Sequence, residues 1–151
     1  MNLVWSYKSF YELTTLELYT ILKLRSEVFV IEQNCIYQDI DTKDLKSFHL
    51  MAFDGDMLAA YTRILPPGIS FEEASIGRVL TASSHRGKGI GIMLMEKSIA
   101  ACSTTFGVES IKIGAQLYLK KFYESFGFAQ TSDAYLEDGI EHIDMLLEGN
   151  R

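Results

Sequence analysis

Val79-Leu80-Thr81-Ala82-Ser83-Ser84-His85-Arg86-Gly87-Lys88-Gly89-Ile90-Gly91 is a β-type run that breaks into a glycine-rich turn and then opens a helix. Strand residues end near Thr81, Ser83 and Ser84 supply turn chemistry, and Ile92, Met95, Ile99 and Cys102 follow at helical intervals. The first amides of such a helix have no intrahelical partner and point outward as donors, at the end the macrodipole makes partly positive. The stretch reads as a cradle for a phosphate-bearing ligand. Gly87, Gly89 and Gly91 remove side chains that would block a pyrophosphate, and Arg86 and Lys88 add full charges, Arg86 with bidentate reach. Two nucleotide motifs are excluded. A P-loop needs glycine where Ala82 stands and Ser or Thr where Gly89 follows Lys88, and a dinucleotide fingerprint needs glycine in place of Ile92.

Outward from that stretch, the 151 residues suffice for one domain with a sizeable core, and 48% hydrophobic residues mark a globular chain. Fourteen basic against twenty acidic residues leave a net charge of −6, which argues against a nucleic-acid footprint. The Arg86/Lys88 pair is a local exception that suits a discrete anionic ligand. No apolar run is long enough to span a bilayer, and Met1 to Lys8 lacks the basic region and apolar core of a signal peptide. A cytoplasmic protein without membrane attachment is expected. Cys35 and Cys102 stand far apart in no ligand spacing, so buried thiols are expected rather than a disulfide or a metal site.

Along the chain, Val4 to Phe10 is strand-like, and Thr14-x-x-Glu17 forms a capping box. The helix after it carries Leu18, Ile21, Leu22, Arg25, Val28 and Phe29 on one face. Arg25 inside that stripe is costly unless it bends its stem to keep its head in water or is paired, and Glu32, Asp39, Asp41 and Asp44 are the nearest acids. Residues 31–46 read as a shaped loop. His49 to Phe53 and Met57 to Leu65 make a hairpin about Asp54-Gly55-Asp56, and Ser75 to Thr81 forms the strand that enters the cradle. Ser110 to Ala115 is a short strand, parallel to it because a helix intervenes. A last helix, about Leu117 to Phe126, stops at Gly127. A hairpin on Asp138-Gly139 closes the chain, with Ile143, Met145 and Leu147 on one side and His142 and Asp144 on the other.

Arg-x-x-Gly-x-Gly, carried by Arg86, Gly89 and Gly91 after a hydrophobic strand, resembles the coenzyme A signature of the GNAT superfamily of N-acetyltransferases. The element order resembles that fold over the whole chain. The likeness narrows to the ElaA-like branch in the run from Leu24 to Asp44, in His49-Leu50, Arg63-Ile64-Leu65-x-Pro67-Gly68 and Gly77-Arg78-Val79, and in Asp138-Gly139-Ile140-x-His142-Ile143-x-Met145. Two positions depart from the superfamily pattern: Gln116 stands where many acetyltransferases carry Asn, and Leu119 where a small Ala is usual.

The resemblance implies an α+β fold of one domain, residues 1–151, with a mixed central sheet of about seven strands, a splayed parallel pair and about four helices. It implies an acyl-CoA-dependent N-acyltransferase moving acetyl from acetyl-CoA to a small-molecule or peptide amine by direct attack. Val79, Leu80 and Thr81 would bond the pantetheine arm and thioester. Arg86, Gly87, Lys88, Gly89, Ile90 and Gly91 would hold the pyrophosphate, and Gln116 would face the cofactor. Tyr123 would protonate the departing thiolate, unless it is simply a core tyrosine. Glu32, Asp39, Asp41, His49 and His142 are the candidate bases, although a single histidine such as His142 is more often a structural hydrogen-bonder. Arg25, Tyr37, Asp39, Asp41 and His49 would face the acceptor, or the acids pair internally with Arg25 or Lys43. A longer acyl chain, a non-catalytic coenzyme A-binding domain and a homodimer stay open.

Overall fold

The computed structural model describes residues 1–107 and 110–149. Its elements are β1 (Leu3–Ser9), α1 (Thr15–Arg25), β2 (Phe48–Asp54), β3 (Met57–Leu65), β4 (Ser75–Thr81), α2 (Ile90–Phe106), β5 (Ile111–Gln116), α3 (Lys120–Glu124), β6 (Ala129–Gln130), β7 (Tyr135–Glu137) and β8 (Ile140–Leu147). Strands β1 to β4 form one antiparallel sheet in chain order. In the second, β8 lies between β5 and β6 and also pairs with β7.

The expected mixed architecture stands, with eight strands and three α-helices among the described residues and the sheet divided into two halves. Strands β4 and β5 meet only at the parallel bridge Ala74–Ile111, where the Lys112 amide donates to the Ala74 carbonyl at 2.9 Å. Beyond it they diverge, so the edges they turn toward each other carry no ladder.

Local chemistry sets the elements as the sequence reading expected at most ends. Thr14 and Glu17 exchange side-chain and backbone hydrogen bonds at the start of α1. Past Arg25 the helix widens into a π-helical turn over Ser26–Glu32, so the stripe to Phe29 runs through two kinds of helix. Gly89 in the left-handed region, φ +77°, caps the entry to α2. The buried face of α2 is Ile90, Leu94, Met95, Ser98 and Cys102; Ile92, read as part of it, lies half-exposed because it falls about 200° around the helix from Ile90. The last helix begins as a 3-10 turn at Leu117–Leu119 and ends before Gly127. Asp138 and Gly139, at φ +50° and +78°, make the tight turn of the β7–β8 hairpin.

The main core lies between α2, α3 and the second sheet, around Met95, Cys102, Ile113, Tyr123, Ile143 and Met145. Burial pushes the Cys102 thiol up to about 12, which fits an inert packed cysteine. A second cluster joins Ile21 and Val28 to Met51, Tyr61 and Leu80. This cluster seats α1 and the chain after it beside β4.

Strand β4 carries one irregularity. Tyr61 pairs with Leu80, but Arg63 pairs with Gly77, so Arg78 and Val79 together oppose Thr62. That is a β-bulge, and its first residue, Arg78, has φ +50°. Glycine usually holds this place, and a side chain there costs roughly 1–2 kcal/mol.

Candidate active site

A cleft of about 970 Å³ opens where β4 and β5 diverge and is lined by both strands, by α3 and by the chain after α1. Val79, Leu80, Thr81, Arg86, Gly91 and Gln116 border it. Gly87, Lys88, Gly89 and Ile90 complete the turn, of which residues 86–89 are exposed and Ile90 is buried at the helix start. Gly87 and Gly89 hold φ near +76° and +77°, and a Cβ on either would meet nothing within 4 Å. At Gly91 a Cβ would meet Phe122 at 3.7 Å and the Thr81 hydroxyl at 3.9 Å, both ordinary contacts, so the chain's own packing does not require this glycine. Space is left there for a ligand. His85 braces the turn from behind, its Nε2 2.9 Å from Asp54 Oδ2 and its Nδ1 2.7 Å from Ser84 Oγ.

The mouth of the cleft is crossed by residues 32–35. Both terminal guanidinium nitrogens of Arg86, Nη1 and Nη2, donate to the Glu32 carboxylate, the Nη2 bond at 2.8 Å, while Arg86 Nε donates to the Thr81 carbonyl at 3.0 Å. Hydrogen bonding to Arg86 holds the Glu32 carboxyl below the usual carboxylate range. Gln33 and Gln116 exchange amide hydrogen bonds at 3.3 and 3.4 Å, and the Cys35 thiol donates to the Asp138 carbonyl at 3.2 Å. One short segment thus touches the cradle, the end of β5 and the last hairpin. Sequence reading named Glu32, Arg86 and Gln116 but missed these pairings, which join residues 54 and 83 positions apart.

Tyr123 is buried at the cleft wall with 5% of its surface exposed. No hydrogen bond among the described residues engages its hydroxyl, and burial pushes its pKa upward, so it stays protonated at neutral pH. A protonated phenol at that wall can donate a hydrogen bond into the cleft. His142 borders the same cleft, Nδ1 2.7 Å from the Ile140 carbonyl and Nε2 3.4 Å from Glu137, with its ring stacked on Tyr135.

The residues assigned to the acceptor separate into two groups. Tyr37 and Asp41 line the cleft, but Arg25, Asp39 and His49 do not. Arg25 is fully enclosed: Nε donates to Asp39 at 2.9 Å, Nη1 to Asp44 at 2.8 Å, and Nη2 to the Asp39 carbonyl and Asp44. It cannot touch an acceptor. His49 is closed off between the Tyr61 hydroxyl and the Asp44 carbonyl, and burial lowers its basicity, so it holds structure rather than a proton for exchange. The acidic loop is paired internally, since Asp41 takes Arg63 at 2.6 Å and Asp39 takes Arg78 at 2.7 Å. Three arginines from α1, β3 and β4 converge on three aspartates of one loop.

The comparisons with known proteins agree with this geometry. The model of the acetyltransferase (GNAT) domain family matches residues 15–148. Protein ElaA of Escherichia coli strain K12 is 43% identical over 139 residues, covering 91% of each chain. A crystal structure of Escherichia coli ElaA superimposes with a TM-score of 0.91 at 40% identity over 97% of this chain and 100% of that one. The crystal structure of an acyl-CoA N-acyltransferase from Pseudomonas aeruginosa does so with a TM-score of 0.92 at 41% identity, over 96% of this chain and 99% of that one.

Proposed function

This chain belongs to the GNAT acetyltransferase family, whose fold is that of acyl-CoA-dependent N-acyltransferases, and on that premise we propose that it transfers acetyl from acetyl-CoA to a small-molecule or peptide amine in the cytoplasm. The observation that carries the reading is the open wedge between β4 and β5, with the glycine turn of residues 86–91 beside it and, on its wall, the Tyr123 hydroxyl, which no described residue hydrogen-bonds. In this reading the pyrophosphate sits on residues 86–91 and the pantetheine arm lies along Val79 to Thr81, whose free backbone groups bond the arm and the thioester carbonyl. The amine nitrogen attacks that carbonyl carbon, and negative charge grows on the oxygen that the amides face. On collapse the carbon–sulfur bond breaks, and Tyr123 delivers a proton to the thiolate.

Glu32 and His142 are the groups at hand to take the proton that the attacking nitrogen loses. Glu32 also has a second part, because the pyrophosphate must take Arg86 from it. Exposed ion pairs are worth at most about 1 kcal/mol, so Glu32→Gln is expected to tighten acetyl-CoA binding by up to about fivefold. Arg86→Ala should weaken it by about 1.5–3 kcal/mol, the range for a charge-assisted hydrogen bond. Calorimetry on the two variants checks the opposite signs; unchanged affinity in both contradicts the cradle.

A screen of amines and peptides tests the activity, read as free thiol released from acetyl-CoA and from longer acyl-CoAs. Acceptor-dependent release with acetyl-CoA is the expected result. Release only with longer chains would move the assignment to that acyl class, and acetyl-CoA binding without release under any acceptor would make the chain a binding domain.

A further inference from the structure

We propose that Arg78 is a positioning residue whose side chain, gripped by the loop that follows α1, holds the β4 bulge and so sets the backbone amides that face the thioester. The proposal rests on the transfer reading above.

The backbone supplies the first reason. Arg78 takes φ +50° in the middle of a strand, the conformation for which glycine is the usual residue at a bulge. An arginine left to itself would relax toward extended geometry. The second reason is what the side chain touches. Nε donates to the Asp39 carboxylate at 2.7 Å, Nη2 donates to the Asp39 carbonyl at 3.0 Å and reaches Asp41 at 3.4 Å, and the guanidinium lies over the Tyr37 ring, 5.8 Å from its centroid. Tyr37 in turn donates to Asp39 at 3.1 Å. Asp39 is itself held by the enclosed Arg25, so the grip is anchored in the core.

The third reason is what the bulge does. Ile76 and Val79 both pack on the main core although three residues apart, while Leu80 belongs to the cluster on α1. An unbroken strand would place residues 76, 78 and 80 on one face. The extra residue therefore reverses the alternation just before Val79 and Leu80, within a strand that lines the cleft along its whole length, Arg78 included. Losing the bulge would turn those amides away from the thioester while leaving the cradle at residues 86–91 in place.

Arg78→Ala and Arg78→Gly separate this role from a charge contact, because both remove the guanidinium and only glycine takes positive φ without strain. For Arg78→Ala, kcat should fall by about a hundredfold, the loss expected when an oxyanion donor is misplaced, with free coenzyme A affinity within about threefold of wild type. For Arg78→Gly, kcat should lie within about fivefold of wild type, because glycine visits φ > 0 as readily as φ < 0. Backbone chemical shifts of residues 77–80 give a readout independent of turnover: the Gly variant should keep the wild-type pattern and the Ala variant lose it. An Ala variant that fails to fold beside a folded, active Gly variant also supports the bulge role. Equal kinetic loss in both, wild-type shifts in the Ala variant, or failure of both to fold would overturn it. A wild-type protein inactive with every acceptor would overturn the transferase reading instead, and the shifts would still decide whether Arg78 holds the bulge.

Discussion

Tyr123→Phe is expected to cut turnover by about a hundredfold or more, the scale of general-acid catalysis, while melting temperature and acetyl-CoA affinity hardly move. The ring stays in its aromatic nest, tilted against Phe122 and Phe128, and only a hydroxyl that no described residue hydrogen-bonds is removed. Removing such a group costs no hydrogen bond in the folded state. Burial keeps the phenol protonated, as a donor to a departing thiolate requires. Thiol release and thermal unfolding on the same pair of proteins measure both halves. Undiminished turnover would take Tyr123 out of the mechanism and leave His142 or a water as the proton source.

The largest stability effect is expected at Arg25. Arg25→Ala should cost about 3–5 kcal/mol, since it strips a fully enclosed guanidinium from Asp39 and Asp44. Lys23→Ala, two residues away on the exposed side of α1, should lie within about 0.5 kcal/mol of wild type. Denaturant unfolding of the two variants makes the comparison. The same network predicts an acid limb. Burial opposes the Asp44 charge, but hydrogen bonds and charge from Arg25 and Arg63 outweigh it and hold the carboxyl below its ordinary range. A carboxyl depressed in the folded state contributes stability above its unfolded pKa and loses it as pH falls, here below about pH 4. In Arg25→Ala that acid-dependent loss should shrink.

Much of this was legible in the residues. The capping box at Thr14, the Asp54-Gly55-Asp56 and Asp138-Gly139 turns, and the glycines before α2 act through neighbours in sequence, so their chemistry shows without a fold. An arginine within an apolar stripe either bends its head out to water or pairs in the core, and Arg25 took the second course, with Asp39 and Asp44 as its partners. What stayed hidden depends on distant pairings. Glu32 was grouped with the other acids, yet it meets Arg86 across the cleft mouth. Asp41 could have faced a cationic acceptor or paired with Arg25 or Lys43, and its partners proved to be Arg63 and Arg78, brought in from β3 and β4. The bulge at Arg78 left one trace in the sequence: Ile76 and Val79 are both core-packed at a spacing no regular strand gives. Two sheets joined at a single bridge cannot be told from one mixed sheet by strand order alone.

The central claim is direct transfer of acetyl from coenzyme A to an amine held in the cleft. It is tested most directly by mass spectrometry of protein, acceptor and coenzyme A together during turnover with acetyl-CoA and an acceptor taken from the screen. The account predicts free coenzyme A and acetylated amine in equal amounts, with the protein itself unmodified throughout. Acetylated protein forming and decaying ahead of product, or coenzyme A released with no acylated acceptor, would contradict it.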